Sequence, residues 1–321
     1  MRPAYSVILF TTASGAGYGL LAVLGLLLLL GHLPASPPHL IITLSTGLAF
    51  ATVGLLSSTF HLARPERAWR AFSQWRTSWL SREGVVAVAV YAAAVPLGLA
   101  LLRLAPDHPL VRLLGGTTAI LAGLTVHCTA MIYASLKPVP QWRHPAVPAI
   151  YLLLGLATGA LLLDAVLLLG GVDLVLPRAL ALAALPAAWL AKELCWRDAG
   201  RPSPSLTTAA ATGLGRYGEV RLLDAPHTES NYLLHEMGYR VARRHAARLR
   251  RIVRVAGLAL PFALALALLL PGLPPDLRTA IAILAAASAL LGALVERWLF
   301  FAEARHTVTL YYGGPAIPVG G

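Results

Sequence analysis

Cysteine is nearly absent: the 321 residues hold two, Cys128 and Cys195. A thiolate-ligated iron–sulfur cluster normally needs four cysteines, so this chain holds none unaided. Neither cysteine belongs to a CxxC or other metal-ligand spacing, and both fall in apolar runs, where they read as small core residues. Charge is also scarce. Asp, Glu, Lys and Arg make up 12% of the chain, about half the roughly 25% of a soluble domain. Acids are fewer than bases, 14 against 26, which leaves a net charge of +12. The P-loop, the GxGxxG strand–helix turn and the GxSxG elbow are missing, and the nucleotide-binding and hydrolase readings go with them. Only His127 lies well inside an apolar run; His39 and His61 stand at the ends of one. A bis-histidine haem site needs two ligands at matched depth, so no haem is expected and His127 reads as a hydrogen-bonded structural residue.

What fills the chain instead is hydrocarbon-soluble sequence. Hydrophobic residues make up 57% of it and the mean hydropathy is +0.70. Runs of membrane-crossing length, about 20 residues each, lie near 7–31, 39–61, 84–104, 112–136, 147–170, 176–195, 253–271 and 277–301. The reading is an all-α polytopic membrane protein, a bundle of eight transmembrane helices forming one anchor domain over 1–321. No alternating pattern suggests a barrel. The first run is too long for a signal-peptide core and lacks an A-x-A exit, so it is read as a retained helix. GAGYG, residues 15–19, lies inside it and permits close helix packing.

The bases are distributed unevenly. Of 26 Lys and Arg, 22 fall at the termini and in the 2–3, 4–5 and 6–7 connections. The positive-inside rule then puts both termini and those loops in the cytoplasm. The alternative is that the arginines serve to dock a protein. Trp69, Trp75, Trp79, Trp142, Trp189, Trp196 and Trp298 all fall on the same Arg-rich side. Trp and Arg are enriched where proteins bury a contact surface, although a one-sided aromatic belt is the simpler reading. The 6–7 connection, 196–252, begins as irregular loop. It ends in a basic amphipathic helix with Tyr232, Leu233, Met237, Val241 and Leu249 at helical spacing, suited to anionic lipid or an acidic partner. Nucleic acid is not an expected partner.

The densest polar stretch is FHLARPERAWRAFSQWRTSWLSRE, residues 60–83, between the second and third runs. A hairpin of two spanning helices brings His61 and Glu83 to one membrane edge. A quinone head needs a pocket near that edge, a donor to a carbonyl and a proton-exchanging group. Histidine can donate there and titrates near neutral pH, a glutamate can relay a proton, and Arg64, Arg67 and Arg82 can hold the carboxylate ionised and orient the loop. Trp69, Arg70, Trp75, Arg76, Trp79 and Trp142 form the candidate docking surface. The structural alternative is that His61 caps helix two while Glu83 pairs with Arg82 or favours a helix N-terminus. Asp164 is a lone acid in helix five, either a proton-path residue or a bond to a neighbouring helix. Lys192–Glu193 and Glu296–Arg297 read as ion pairs. No metal site is expected.

Four stretches carry a family resemblance: STFHLARPERAWRAFSQWRTSWLSRE, LKPVPQWRHP at 136–145, NYLLHEMGYRVARRHA at 231–246 and ERWLFFAEARHTVTLYYG at 296–313. Together they resemble the membrane anchor subunit of dimethyl-sulfoxide-reductase-type molybdoenzymes, over essentially the whole chain. The resemblance implies a complex with a molybdopterin catalytic subunit and a subunit of four iron–sulfur clusters. It also implies an anchor without haem that exchanges electrons with a quinone, menaquinone or ubiquinone. That family's quinone-site histidine and glutamate match His61 and Glu83 by position. The substrate stays open between sulfite oxidation and dimethyl-sulfoxide-type reduction. A purely structural anchor and a small-solute transporter are the competing readings, though transporters favour inverted repeats with broken helices at the midplane.

Overall fold

The computed structural model describes residues 4–31, 33–60, 62, 64–198, 201–202, 206–224, 241–312 and 318–319. Six long helices come first: α1 (Tyr5–Leu30), α2 (Pro37–Thr59), α3 (Trp79–Leu101), α4 (Pro109–Ala134), α5 (Val147–Leu169) and α6 (Val175–Asp198). After them come a short α7 (Thr208–Thr212), then α8 (Val241–Ile252), α9 (Leu260–Ala267) and the long α10 (Pro275–Ala302). Among the described residues the only strands are a two-residue antiparallel pairing of Arg201–Pro202 with Pro318–Val319. A 23-residue helix such as α2 is about 35 Å long, enough to cross a hydrocarbon core of about 30 Å.

The helix ends follow from local chemistry. Proline stands in the first turn of α2, α4 and α10, where its missing N–H costs nothing. Gly31 ends α1 in the left-handed region at φ 71°, with its N–H directed to the Leu27 and Leu28 carbonyls. Ser78 caps α3, accepting from the Ser81 N–H. Pro96 and Pro186 lie inside α3 and α6, as membrane helices tolerate.

α1 and α5 form the centre. Of their apolar windows 72% and 67% are buried, against 39–44% for the other spans. α1 packs on α2, α4 and α5; α3 packs on α4; α5 packs on α6 and α10. Small residues set the spacing, as GAGYG suggests. A Cβ on Gly19 would fall 1.9 Å from the Gly155 carbonyl oxygen, and one on Gly17 would meet the Ala51 nitrogen at 2.5 Å. Apolar side chains on the outside, among them Leu99, Leu113, Ile120 and Leu291, face the lipid.

The expected eighth span is not found as one long helix. The described residues contain seven helices long and apolar enough to cross, not eight. The run at 253–271 is helical, but its first part, Val253–Ala259, is wound as a π-helix and only Leu260–Ala267 is α-helical. Pro261 has no N–H for the Gly257 carbonyl, so the register changes there. Gly257 also lies against Gly292 of α10, where a Cβ on Gly292 would come 1.9 Å from the Gly257 Cα. The amphipathic helix is described only from Val241 onward. Tyr232, Leu233 and Met237 lie outside the described residues.

Candidate functional site

The connection from α2 to α3 is a 3₁₀ segment, Pro65–Gln74, opened by Pro65 and followed by a turn. Helix α3 starts at Trp79, five residues before the apolar run does, because the Ser78 cap draws Trp79–Arg82 into its first turn. Glu83 is therefore not at the water edge. It is 5% exposed and faces the bundle. The Thr129 hydroxyl of α4 donates to Glu83 Oε1, and the same hydroxyl reaches the Thr125 carbonyl at 3.0 Å. Phe72 packs over the neighbouring Gly84, where a Cβ would meet its ring at 3.3 Å. His61 lies outside the described residues.

Arg82 turns away from Glu83. Its Nε donates to the Trp75 carbonyl at 3.0 Å and a terminal nitrogen to the Arg76 carbonyl at 2.6 Å, while the guanidinium lies 4.3 Å from the Trp79 ring centroid. It holds the loop in place. Arg64 and Arg67 are exposed, and among the described residues no cation forms a salt bridge with Glu83.

The docking candidates divide. Trp69 and Trp75 are 66% and 53% exposed, each with the next arginine, Arg70 or Arg76, over its ring. Trp79 is half-buried and meets His127 edge-on at 5.9 Å, so His127 has a ring contact where a hydrogen bond was expected. Trp142 is core, not surface, at 6% exposure. Its indole N–H donates to the Phe300 carbonyl at 2.9 Å and its ring packs on Tyr133, Phe300 and Phe301. That bond, with Thr307 N–H to the Pro138 carbonyl at 2.9 Å, ties the 4–5 loop to the end of α10.

Two buried charge clusters stand apart from Glu83. Asp164 is not alone: Arg178 of α6 donates to both its oxygens, at 3.1 and 3.0 Å. Arg178 is 1% exposed and also reaches Asp173, which pairs with Arg278. In the sequence Arg178 reads as a loop charge, because it opens an apolar run. At the other edge, Lys192 of α6 pairs with Glu296 of α10 at 2.6 Å, and Glu296 also meets Arg297 Nε at 3.2 Å. Glu193 instead pairs with Arg254 at 2.5 Å. The Arg297 guanidinium lies over the Tyr151 ring, 3.5 Å from its centroid. Trp196 is surrounded by Lys192, Arg254 and Arg250 at 5.0, 5.1 and 5.4 Å.

A bundle of spanning helices, with a buried carboxylate near one edge and exposed Trp–Arg pairs over that edge, is the form of a multi-span membrane anchor. A family model described as DMSO reductase anchor subunit (DmsC) matches residues 1–313, and the chain belongs to that family. It is 36% identical to the C subunit of sulfite dehydrogenase from Allochromatium vinosum over 330 residues, spanning 97% of this chain and 99% of that protein. It is 29% identical to the C polypeptide of anaerobic dimethyl sulfoxide reductase from Escherichia coli over 171 residues, 53% of this chain and 59% of that one. Family membership replaces the transporter alternative with a membrane anchor.

Proposed function

We propose that this chain is the quinone-reactive anchor of a three-subunit molybdopterin oxidoreductase. It docks an iron–sulfur subunit on the exposed Trp69, Arg70, Trp75 and Arg76 surface, and a molybdopterin subunit is the third member. The observation that carries the quinone reading is Glu83: a carboxyl group buried near the membrane edge, with a hydroxyl partner and no salt bridge among the described residues. A buried acid serving only as a helix or loop tie normally takes a cation, as Asp164 and Glu296 do. A bound quinone supplies exchange of two electrons and two protons. Glu83 would hold or move a proton at Oε1 or Oε2, with Thr129 fixing its orientation. His61 would donate to a quinone oxygen. Arg82 positions the loop above. The Asp164 cluster at the other edge is read as a structural tie between α5 and α6.

The near full-length similarity to a sulfite dehydrogenase component favours sulfite oxidation as the reaction of the complex. The positive-inside distribution supports a cytoplasmic docking face and cytoplasmic termini, which suit that reaction.

Glu83→Gln keeps the shape and removes the ionisable proton. In the assembled complex it is expected to lower quinone-linked turnover about 10²-fold or more, with activity toward a soluble dye that reaches the clusters directly left intact. Normal quinone turnover in an assembled Glu83→Gln complex would exclude the proton role. Equal loss of dye and quinone activity would point to the purely structural anchor.

A further inference from the structure

Two small cavities lie inside the bundle on the docking side, and Tyr151 and Arg297 form the wall they share. The outer one, about 50 Å³, is also lined by Gln141, Lys192, Trp196 and Glu303. The inner one, about 20 Å³, is also lined by Thr12, Gly15, Thr129 and Thr158. Three buried polar atoms on these linings have no hydrogen-bond partner within the protein: Thr12 Oγ1, the Tyr151 hydroxyl and one terminal nitrogen of Arg297. Arg297 sits over the face of the Tyr151 ring, 3.5 Å from its centroid. Buried polar atoms left unpaired are costly, and polar cavities of this size hold water that pairs them. A space of about 10–15 Å³ suffices for one water, so the inner cavity has room for one and the outer one for several.

The linings are continuous with Glu83. Thr129 lines the inner cavity and donates to the Glu83 carboxylate. Its one hydrogen is shared between Glu83 and the Thr125 carbonyl, so it can swing from one to the other. At the far end, Glu303 borders the outer cavity and pairs with Arg250 at 3.0 Å in a partly exposed position.

We propose that a water-filled polar file runs from Glu83 through Thr129, Thr12 and Tyr151 to Glu303, and exchanges the protons of the reaction at Glu83 with the aqueous phase on the docking side. The inference rests on that reaction. Each step moves one proton: an O–H bond of one water or hydroxyl breaks as the next oxygen gains its hydrogen, and reorientation resets the file. Electrons arrive separately, from the docked iron–sulfur subunit. Arg297 and Lys192, both beside Glu296, line the outer cavity.

The test uses the whole complex in proteoliposomes. Gly15→Ala fills the inner cavity, because a Cβ there meets nothing within 4 Å, and it removes no polar group. Tyr151→Phe removes the hydroxyl between the cavities. Both are expected to slow quinone-linked turnover about tenfold or more, to raise its solvent deuterium isotope effect, and to leave the quinone KM and dye-linked activity unchanged. Independently of turnover, radiolytic labelling with ¹⁸O water should oxidise buried Tyr151 far faster than buried Phe10. If Glu83→Gln turns over quinone normally, the quinone reading fails. If Glu83→Gln is impaired while Gly15→Ala and Tyr151→Phe are both normal, the file is wrong. Tyr151 labelling no faster than Phe10 overturns it as well. Should Gly15→Ala not assemble, Thr12→Val takes its place with the same readings.

Discussion

Lys192→Met tests the buried tie between α6 and α10. Lys192 Nζ lies 2.6 Å from Glu296 Oε1, and both side chains are almost wholly buried, at 6% and 1%. Methionine keeps the stem length and removes the charge. Breaking a buried pair from one side typically costs about 3–5 kcal/mol, because the remaining charge is left uncompensated. Here Arg297 Nε still meets Glu296 at 3.2 Å, so the lower end applies, about 3 kcal/mol. That is roughly a hundredfold in the unfolding equilibrium. The assay is reversible unfolding of detergent-solubilised anchor, read by tryptophan fluorescence, with Lys192→Met, Glu296→Gln and the double variant. The double variant should be more stable than the sum of the single losses by about 1–2 kcal/mol, since removing both charges leaves no orphan. A Lys192→Met loss under about 1 kcal/mol with additive behaviour would refute the reasoning.

Gly292→Ala forces α10 away from Gly257, where a Cβ would lie 1.9 Å from a Cα; a loss of at least about 2 kcal/mol is expected in the same unfolding assay. Trp69→Ala combined with Trp75→Ala removes two exposed rings; anchor stability should be unchanged while co-purification of the iron–sulfur subunit falls about tenfold or more. Undiminished capture would dismiss that surface. For sidedness, a cysteine at exposed Ser73 should react with an impermeant maleimide only in inverted vesicles, and one at exposed Asp107 only in intact cells. The opposite pattern inverts the topology.

The helices are legible because hydrocarbon length is a one-dimensional signal, and the six runs through 195 reappear within a few residues of their expected ends. The seventh run departs from expectation because composition does not see a register change. Pro261 and the Gly257–Gly292 contact accompany a change of hydrogen-bond register that leaves hydropathy unaltered. Glu83 stands out by its place between Arg-rich loop and apolar helix, but its burial does not. That depends on the Ser78 cap lengthening α3 and on Thr129, 46 residues away. Trp142 reads as surface because Trp at a helix edge has no sign of its own, and the partner that buries it is 158 residues later. Arg178 reads as a loop charge for the same reason. Charges that close between distant helices leave no spacing to read.

The end of α10 shares a membrane edge with the 4–5 loop, as the Trp142–Phe300 and Thr307–Pro138 bonds require. Glu303 therefore opens on the same side as the Trp–Arg surface. On the proposed reading, electrons and protons arriving at or leaving Glu83 pass through one face, whichever way the protein is inserted. No net charge then crosses the bilayer during turnover. The anchor would couple the quinone pool to the catalytic subunit without generating membrane voltage, and its turnover should be indifferent to an imposed potential.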